Sequence, residues 1–174
     1  MMKSKSLVEA ALLIALAVVF TRFFSIKLTI AGVEGVRVGI GVLPIVLAGL
    51  RGGVWQGARV GILADVIGYI LSPGGPYMPH FTLTTALNGV LPPLIVGNKK
   101  KLDAKKIMFS VTLTLLVTGL LIVPYFLNIL FGIPYAVIFW PRLISFILNS
   151  LIMNFVLLAL HKRLDIFSVS RVIA

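Results

Sequence analysis

The chain has no cysteine, two histidines and only five acidic residues in 174. Without cysteine there is neither a disulfide framework nor a thiolate metal site, and the redox compartment stays unread. His80 and His161 lie toward opposite sides of the apolar pattern with no carboxylate cluster beside either, so no metal-ligand set is expected. No G-x-x-x-x-G-K-[ST] string occurs, which excludes the usual phosphate-cradling loop; any ATP-driven work must come from a partner. Asp65 and His80 are joined by no nucleophile motif, so a hydrolase is unsupported and neither an enzymatic activity nor a cofactor is expected.

What the chain has is hydrophobic length. Hydrophobic residues make up 59%, charged residues 12%, and the mean hydropathy is +1.10, values that belong to a bilayer protein. A spanning helix needs roughly 20 mostly apolar residues. Breaks at polar and Gly/Pro clusters give six segments, near 7–26, 37–50, 53–71, 81–97, 107–127 and 138–160. The expected fold is therefore a single all-α membrane domain over residues 1–174 with six transmembrane helices. The opening "MMKSKSLVEAALLIALAVVF" has the basic start and apolar run of a signal peptide but no small-residue cleavage site, and reads as a retained first span. The second segment is short and carries Gly39, Gly41 and Pro44, so it is bent or falls short of the full thickness.

The net charge of +11 would point to nucleic acid in another chain; here its distribution fits membrane orientation and no nucleic-acid partner is expected. With both termini on one side, that side holds Lys3, Lys5, Arg51, Lys99, Lys100, Lys101, Lys105, Lys106, Lys162, Arg163 and Arg171, while the other holds Arg22, Lys27, Arg37 and Arg142. Cationic residues concentrate on cytoplasmic loops, so both termini are expected in the cytoplasm. The stretch "SPGGPYMPHFTLTTALNG" at 72–89 then opens on the outer side, together with residues 27–36 and 128–137.

Charges inside an apolar span are costly and mark function by default. Arg59 lies about two turns from the cytoplasmic end of the third segment, near enough to extend its guanidinium to the interface. Asp65 has a short side chain about 9 Å below the outer end, at 1.5 Å per residue. It faces protein or a cavity, either bonding a neighbouring helix or meeting a ligand. Gly53, Gly57, Gly61 and Gly68 line the same helix as a close-packing stripe, and Tyr69 shares the face of Asp65. Ala11 and Ala15 form a second small-residue ridge on the first span, fit for internal packing or for docking a membrane subunit.

Residues 36–89, "VRVGIGVLPIVLAGLRGGVWQGARVGILADVIGYILSPGGPYMPHFTLTTALNG", carry G-x-L-P-I, A-D-x-x-G-Y and P-x-F-T-L strings in order. They resemble the folate family of substrate-binding S components of energy-coupling factor (ECF) vitamin transporters. The Ala11/Ala15 ridge and "FGIPYAVIFWPRLISFILNSLIMNFVLL" at 131–158 are also similar to the family's first and last spans. The chain departs from the pattern at "RGGVW", at Arg59 and at His80. The resemblance implies a multi-pass prokaryotic cell-membrane protein that captures a vitamin from outside. It further implies a transmembrane T subunit docked on Ala11 and Ala15, and two ATPase subunits that drive reorientation.

Folate pairs a flat, donor-edged pterin with a dianionic glutamate tail. A carboxylate can accept paired N–H donors, aromatic walls can hold the rings, and arginines can meet the tail. The expected binding set is Asp65, then Tyr69, Tyr77, Phe81, Thr82 and Trp140, then Arg37 and Arg142. The arginines can equally anchor to lipid headgroups, and Trp140 and Tyr77 can be belt residues. Two rival functions stand beside folate capture: an S component for riboflavin, thiamin or pantothenate, and a non-transporting membrane assembly subunit. The Pro/Gly-rich stretch is expected to be a stiff lid with a few hinges beside a preformed pocket, the alternative being an ordinary tight connection between two helices.

Overall fold

The first apolar run is helical as far as Arg22 and no further. Beyond it the pattern changes to a two-residue alternation, Ile26, Leu28 and Ile30 against Lys27 and Thr29, which suits a strand. In the structure, a computed structural model that describes residues 4–30, 33–73, 77–97 and 103–163, helix α1 spans Ser4–Arg22 and strand β1 spans Ser25–Ile30. Strand β2, Val33–Gly39, pairs with β1 antiparallel, with Ser25 opposite Gly39, Lys27 opposite Arg37 and an irregularity at Leu28/Thr29. This hairpin corrects the sequence reading. The first span ends four residues early, and residues 27–36, read as a loop, lie mostly in paired strands together with the first residues of the second segment.

The remaining segments are helical. Helix α2 is only Leu43–Gly52, because the strand takes residues up to Gly39 and Pro44 suits a first helical turn. Ten residues rise about 15 Å, half the hydrocarbon thickness. Gly53, at φ 84°, joins it directly to α3, Val54–Leu71. Helix α4 covers Pro79–Val96, so most of the 72–89 stretch is helix and its loop is confined to the residues before Pro79. Residues 104–131 run on as α5 (Ala104–Leu115), a π-helical turn (Leu116–Ile122) and α6 (Val123–Phe131). Pro124 has no N–H to give Leu120, and the widened turn lies just before it. Gly132, at φ 64°, ends α6, and Asn128 Nδ2 donates to Ile133 O at 2.9 Å across the turn. Helix α7 then runs Tyr135–Arg163, so the connection expected at 128–137 is residues 132–134 alone.

Three stretches, Val54–Leu71, Ala104–Phe131 and Tyr135–Leu160, are long and apolar enough to cross a membrane by length and composition. Lys3, Lys99 to Lys101, Arg171 and residues 74–76 lie outside the described residues, as do the side chains of His161, Lys162 and Arg163.

Lipid removes most of the hydrophobic drive between helices, so close packing must hold them. The glycines of α3 do this against α4. A Cβ on Gly57 would lie 2.1 Å from Gly89 O, one on Gly89 2.2 Å from Gly57 O, and one on Gly61 2.5 Å from Thr85 O. Backbone meets backbone there, and Asp65 is carried against the start of α4. Gly68 serves another purpose: a Cβ would stand 2.9 Å from Arg22 Nε, and the Arg22 guanidinium donates to Ser72 O at 2.9 Å, tying α1 to the end of α3. At the opposite end Arg51 pairs with Glu9 at 2.9 Å. An apolar core of Leu50, Ile107, Val111, Met153 and Leu157 unites α2, α5 and α7. A second, Val123, Leu127, Ile133 and Ile138, joins α6 to the start of α7, with Phe81 packed on it.

Candidate functional site

Between these two cores the helices do not close. They surround a cavity of about 150 Å³, part of it open to solvent. Every helix from α1 to α7, the hairpin and the π-helical turn contribute wall. Leu115 and Met153 belong both to the wall and to the α2/α5/α7 core, which is therefore its floor.

Four of the expected binding residues line this space: Arg37, Asp65, Phe81 and Arg142. They come from β2, α3, α4 and α7, so the fold converges residues more than 100 positions apart. Thr82, Tyr77 and Tyr69 stand behind Asp65. Thr82 Oγ1 donates to Asp65 Oδ2 at 2.7 Å, and Tyr77 Oη lies 2.7 Å from Thr82 Oγ1. A carboxylate only accepts, so the Thr82 proton goes to Asp65 and Tyr77 donates to Thr82. The Tyr69 and Tyr77 rings meet at 5.1 Å. The structure does not bring Trp140 to the cavity. Arg142, Ser145, Phe146 and Asn149 share one helical face; Trp140 is out of phase with them, 65% exposed and packed on Phe139.

His80 is buried, with only 5% of its surface exposed, between Phe81 (ring centroids 4.4 Å) and Phe126 (5.3 Å, stacked). Neither ring nitrogen has a hydrogen-bond partner among the described residues. It backs the Phe81 wall as an aromatic plate. Ala11 and Ala15 are exposed, while Leu13, Ala17 and Val18 of the same helix are buried. The alanine ridge therefore faces away from the chain's own core, and internal packing does not account for it.

The hairpin is held by α7. Asn149 Oδ1 accepts from Gly39 N at 2.9 Å, Asn149 Nδ2 donates to Arg37 O at 2.8 Å, and Ser145 Oγ donates to the same carbonyl at 2.9 Å. The side-chain amide thus acts like a third strand on β2 and fixes the backbone from which Arg37 projects. The sequence reading passed over these neutral polar residues, and over Asn88 and Thr118, which also line the cavity. Isolated Asn, Ser and Thr at helical spacing inside apolar spans were the available signal; attention to charge and aromaticity missed it. No group of three or more His, Cys, Asp or Glu suited to a metal ion occurs among the described residues.

A family profile described as "ECF-type riboflavin transporter, S component" matches residues 1–165. The folate transporter FolT of Clostridium novyi (strain NT) is 32% identical over 145 residues, covering 83% of this chain and 81% of the relative. A crystal structure of FolT bound with folic acid superposes with a TM-score of 0.79 at 26% identity, over 92% of this chain and 95% of that one. The S component of a bacterial ECF transporter superposes with a TM-score of 0.71 at 23% identity, over 94% and 96%, a likeness of fold.

Proposed function

The chain belongs to the family of S components of ECF-type transporters, a membrane protein of transport rather than catalysis, and from that premise we propose that it captures folate. One observation carries the choice of vitamin: a single cavity sets the Asp65 carboxylate on one wall and the Arg37 and Arg142 guanidinium groups on others. Folate matches both ends. Its pterin edge presents adjacent N–H donors to a carboxylate, and its glutamate carries two carboxylates for arginine. Phe81, backed by His80 and Phe126, supplies an aromatic wall between. The FolT relative supports the same reading.

In this reading Asp65, Phe81, Arg37 and Arg142 touch the ligand. Thr82, Tyr77 and Tyr69 orient Asp65 and tie it to the loop between α3 and α4, and Trp140 is a belt residue at the membrane interface. The chain is one six-helix domain spanning the cell membrane, with both termini cytoplasmic and the cavity opening outward. A T subunit docks on the Ala11/Ala15 face and two ATPase subunits supply the power stroke, consistent with a sequence that carries no phosphate-cradling loop.

The family description names riboflavin, which makes that vitamin the second reading. Its ring also offers an N–H donor to a carboxylate, but its ribityl chain is uncharged and brings no carboxylate to the arginines in the cavity wall. A panel of radiolabelled folate, riboflavin, thiamin and pantothenate on the purified protein separates these. Saturable retention of folate alone is expected; retention of riboflavin in its place overturns the assignment.

A further inference from the structure

The hydroxyl groups of the cavity wall share a property that bears on which ligand they can hold. Six line it: Thr21, Ser25, Thr84, Thr85, Thr118 and Ser145. Each lies 2.5 to 2.9 Å from a main-chain carbonyl oxygen, those of Ala17, Thr21, Phe81, Phe81, Thr114 and Arg37 in turn. A carbonyl can only accept, and a hydroxyl owns one hydrogen. All six protons are therefore spent on the backbone, and what these groups turn to the cavity is lone pairs. Asn149 has likewise committed its amide hydrogens, to Arg37 O and to Ser145 Oγ at 3.1 Å.

Asn88 is settled by the same count. It is buried on α4 with 8% of its surface exposed, and lines the cavity. The amide atom nearest Thr118 Oγ1, at 2.9 Å, is drawn as Oδ1, but Thr118 also sits 2.8 Å from Thr114 O and its one hydrogen must go there. A half-turn of the amide exchanges oxygen and nitrogen without moving the group. Nδ2 then donates to Thr118, and Oδ1 becomes the atom that is left for the cavity. Asn88 lies six residues, about 9 Å, deeper along α4 than Thr82, which holds Asp65.

We propose that Asn88 is a specificity-determining residue whose side-chain oxygen, oriented by Thr118, accepts a hydrogen bond from the amino-bearing edge of the ligand's ring at the deep end of an acceptor-lined cavity. The uncharged wall rewards a donor-rich ring and penalises a ring that presents acceptors, because facing lone pairs leave both partners unsatisfied. A 2-amino group beside a ring N–H supplies three donor hydrogens, for which the Asp65 carboxylate and the Asn88 oxygen are acceptors. This inference rests on the folate reading and adds to it the chemistry of the deep end.

The test uses monodisperse full-length protein titrated with folic acid and with its 2-desamino-2-methyl analogue, counting sites as well as affinity. Asn88→Ala is expected to weaken folic acid about 10- to 100-fold and the analogue less than about 3-fold, since the analogue has no amino hydrogen to lose. Thr118→Val, which frees the amide to turn, erodes the preference for folic acid over the analogue, and Thr118→Ser restores it by returning the hydroxyl. Equal losses for the two ligands in Asn88→Ala, or an unchanged preference in Thr118→Val, overturn the proposal while leaving folate as the ligand. A wild-type protein that binds no folic acid overturns the folate reading and this inference with it.

Discussion

Arg37 and Arg142 reach the cavity from a strand and a helix more than 100 residues apart, and a guanidinium in a cavity wall suits an anionic ligand group. On the folate account that anion is the glutamate tail. Arg37→Ala and Arg142→Ala are each expected to weaken folate by about tenfold or more, as loss of a charge-assisted bond typically does. Pteroate, which lacks the glutamate, should lose far less. Competition binding with both ligands checks this, and equal losses would mark the arginines as structural. At this scale the sequence was informative about charge and silent about neutral polarity. Asp65 and the arginines stand out in an apolar chain because burying a charge is expensive. Asn88, Thr118, Ser145 and Asn149 do not, because a hydroxyl or amide in a helix has many cheap partners and only the fold shows which ones face a cavity.

Elements decide how firmly that constellation is held. The hairpin was invisible to a reading by spans, since a six-residue strand of alternating residues is lost beside a 20-residue window. Its attachment was beyond the sequence altogether, because Gly39 and Asn149 are 110 positions apart. The helix boundaries of α3 and α4 were legible within two residues, because Gly and Pro punctuate both ends. The π-helical turn was not, since it depends on how the chain accommodates Pro124. The clamp on β2 makes a kinetic prediction. Asn149→Ala removes both the acceptor for Gly39 N–H and a donor to Arg37 O, so β2 and Arg37 loosen together. Folate dissociation should accelerate about tenfold or more, measurable by chase with unlabelled ligand, and Asn149→Asp, which keeps the acceptor but sets an oxygen against Arg37 O, should accelerate it as well. An unaltered dissociation rate in both would mean that α7 does not hold the hairpin in the bound state.

For the whole molecule the proposed function joins the exposed Ala11/Ala15 ridge and the basic bias of one side in one arrangement, a capture subunit whose cavity opens outside and whose smooth helix face meets a membrane partner. Ala11→Trp and Ala15→Trp are expected to leave binding intact and to abolish uptake in cells that express the full transporter, since a bulky ring blocks close helix approach. Normal uptake would remove that face from consideration. Because the chain has no cysteine, orientation can be read with single introduced thiols. Ser72→Cys should react with an impermeant reagent in intact cells and Asp103→Cys should not, and the opposite pattern would invert the topology. The central claim, that this membrane domain captures folate by its Asp65 wall, is tested most directly by titrating folic acid into monodisperse wild-type and Asp65→Asn protein with active sites counted. Replacing one acceptor oxygen by a donor should cost about 2 to 5 kcal/mol, or roughly 30-fold to several thousand-fold in affinity, at an undiminished number of sites. Near wild-type affinity in a reduced active fraction would instead leave Asp65 as a packing residue and contradict the account.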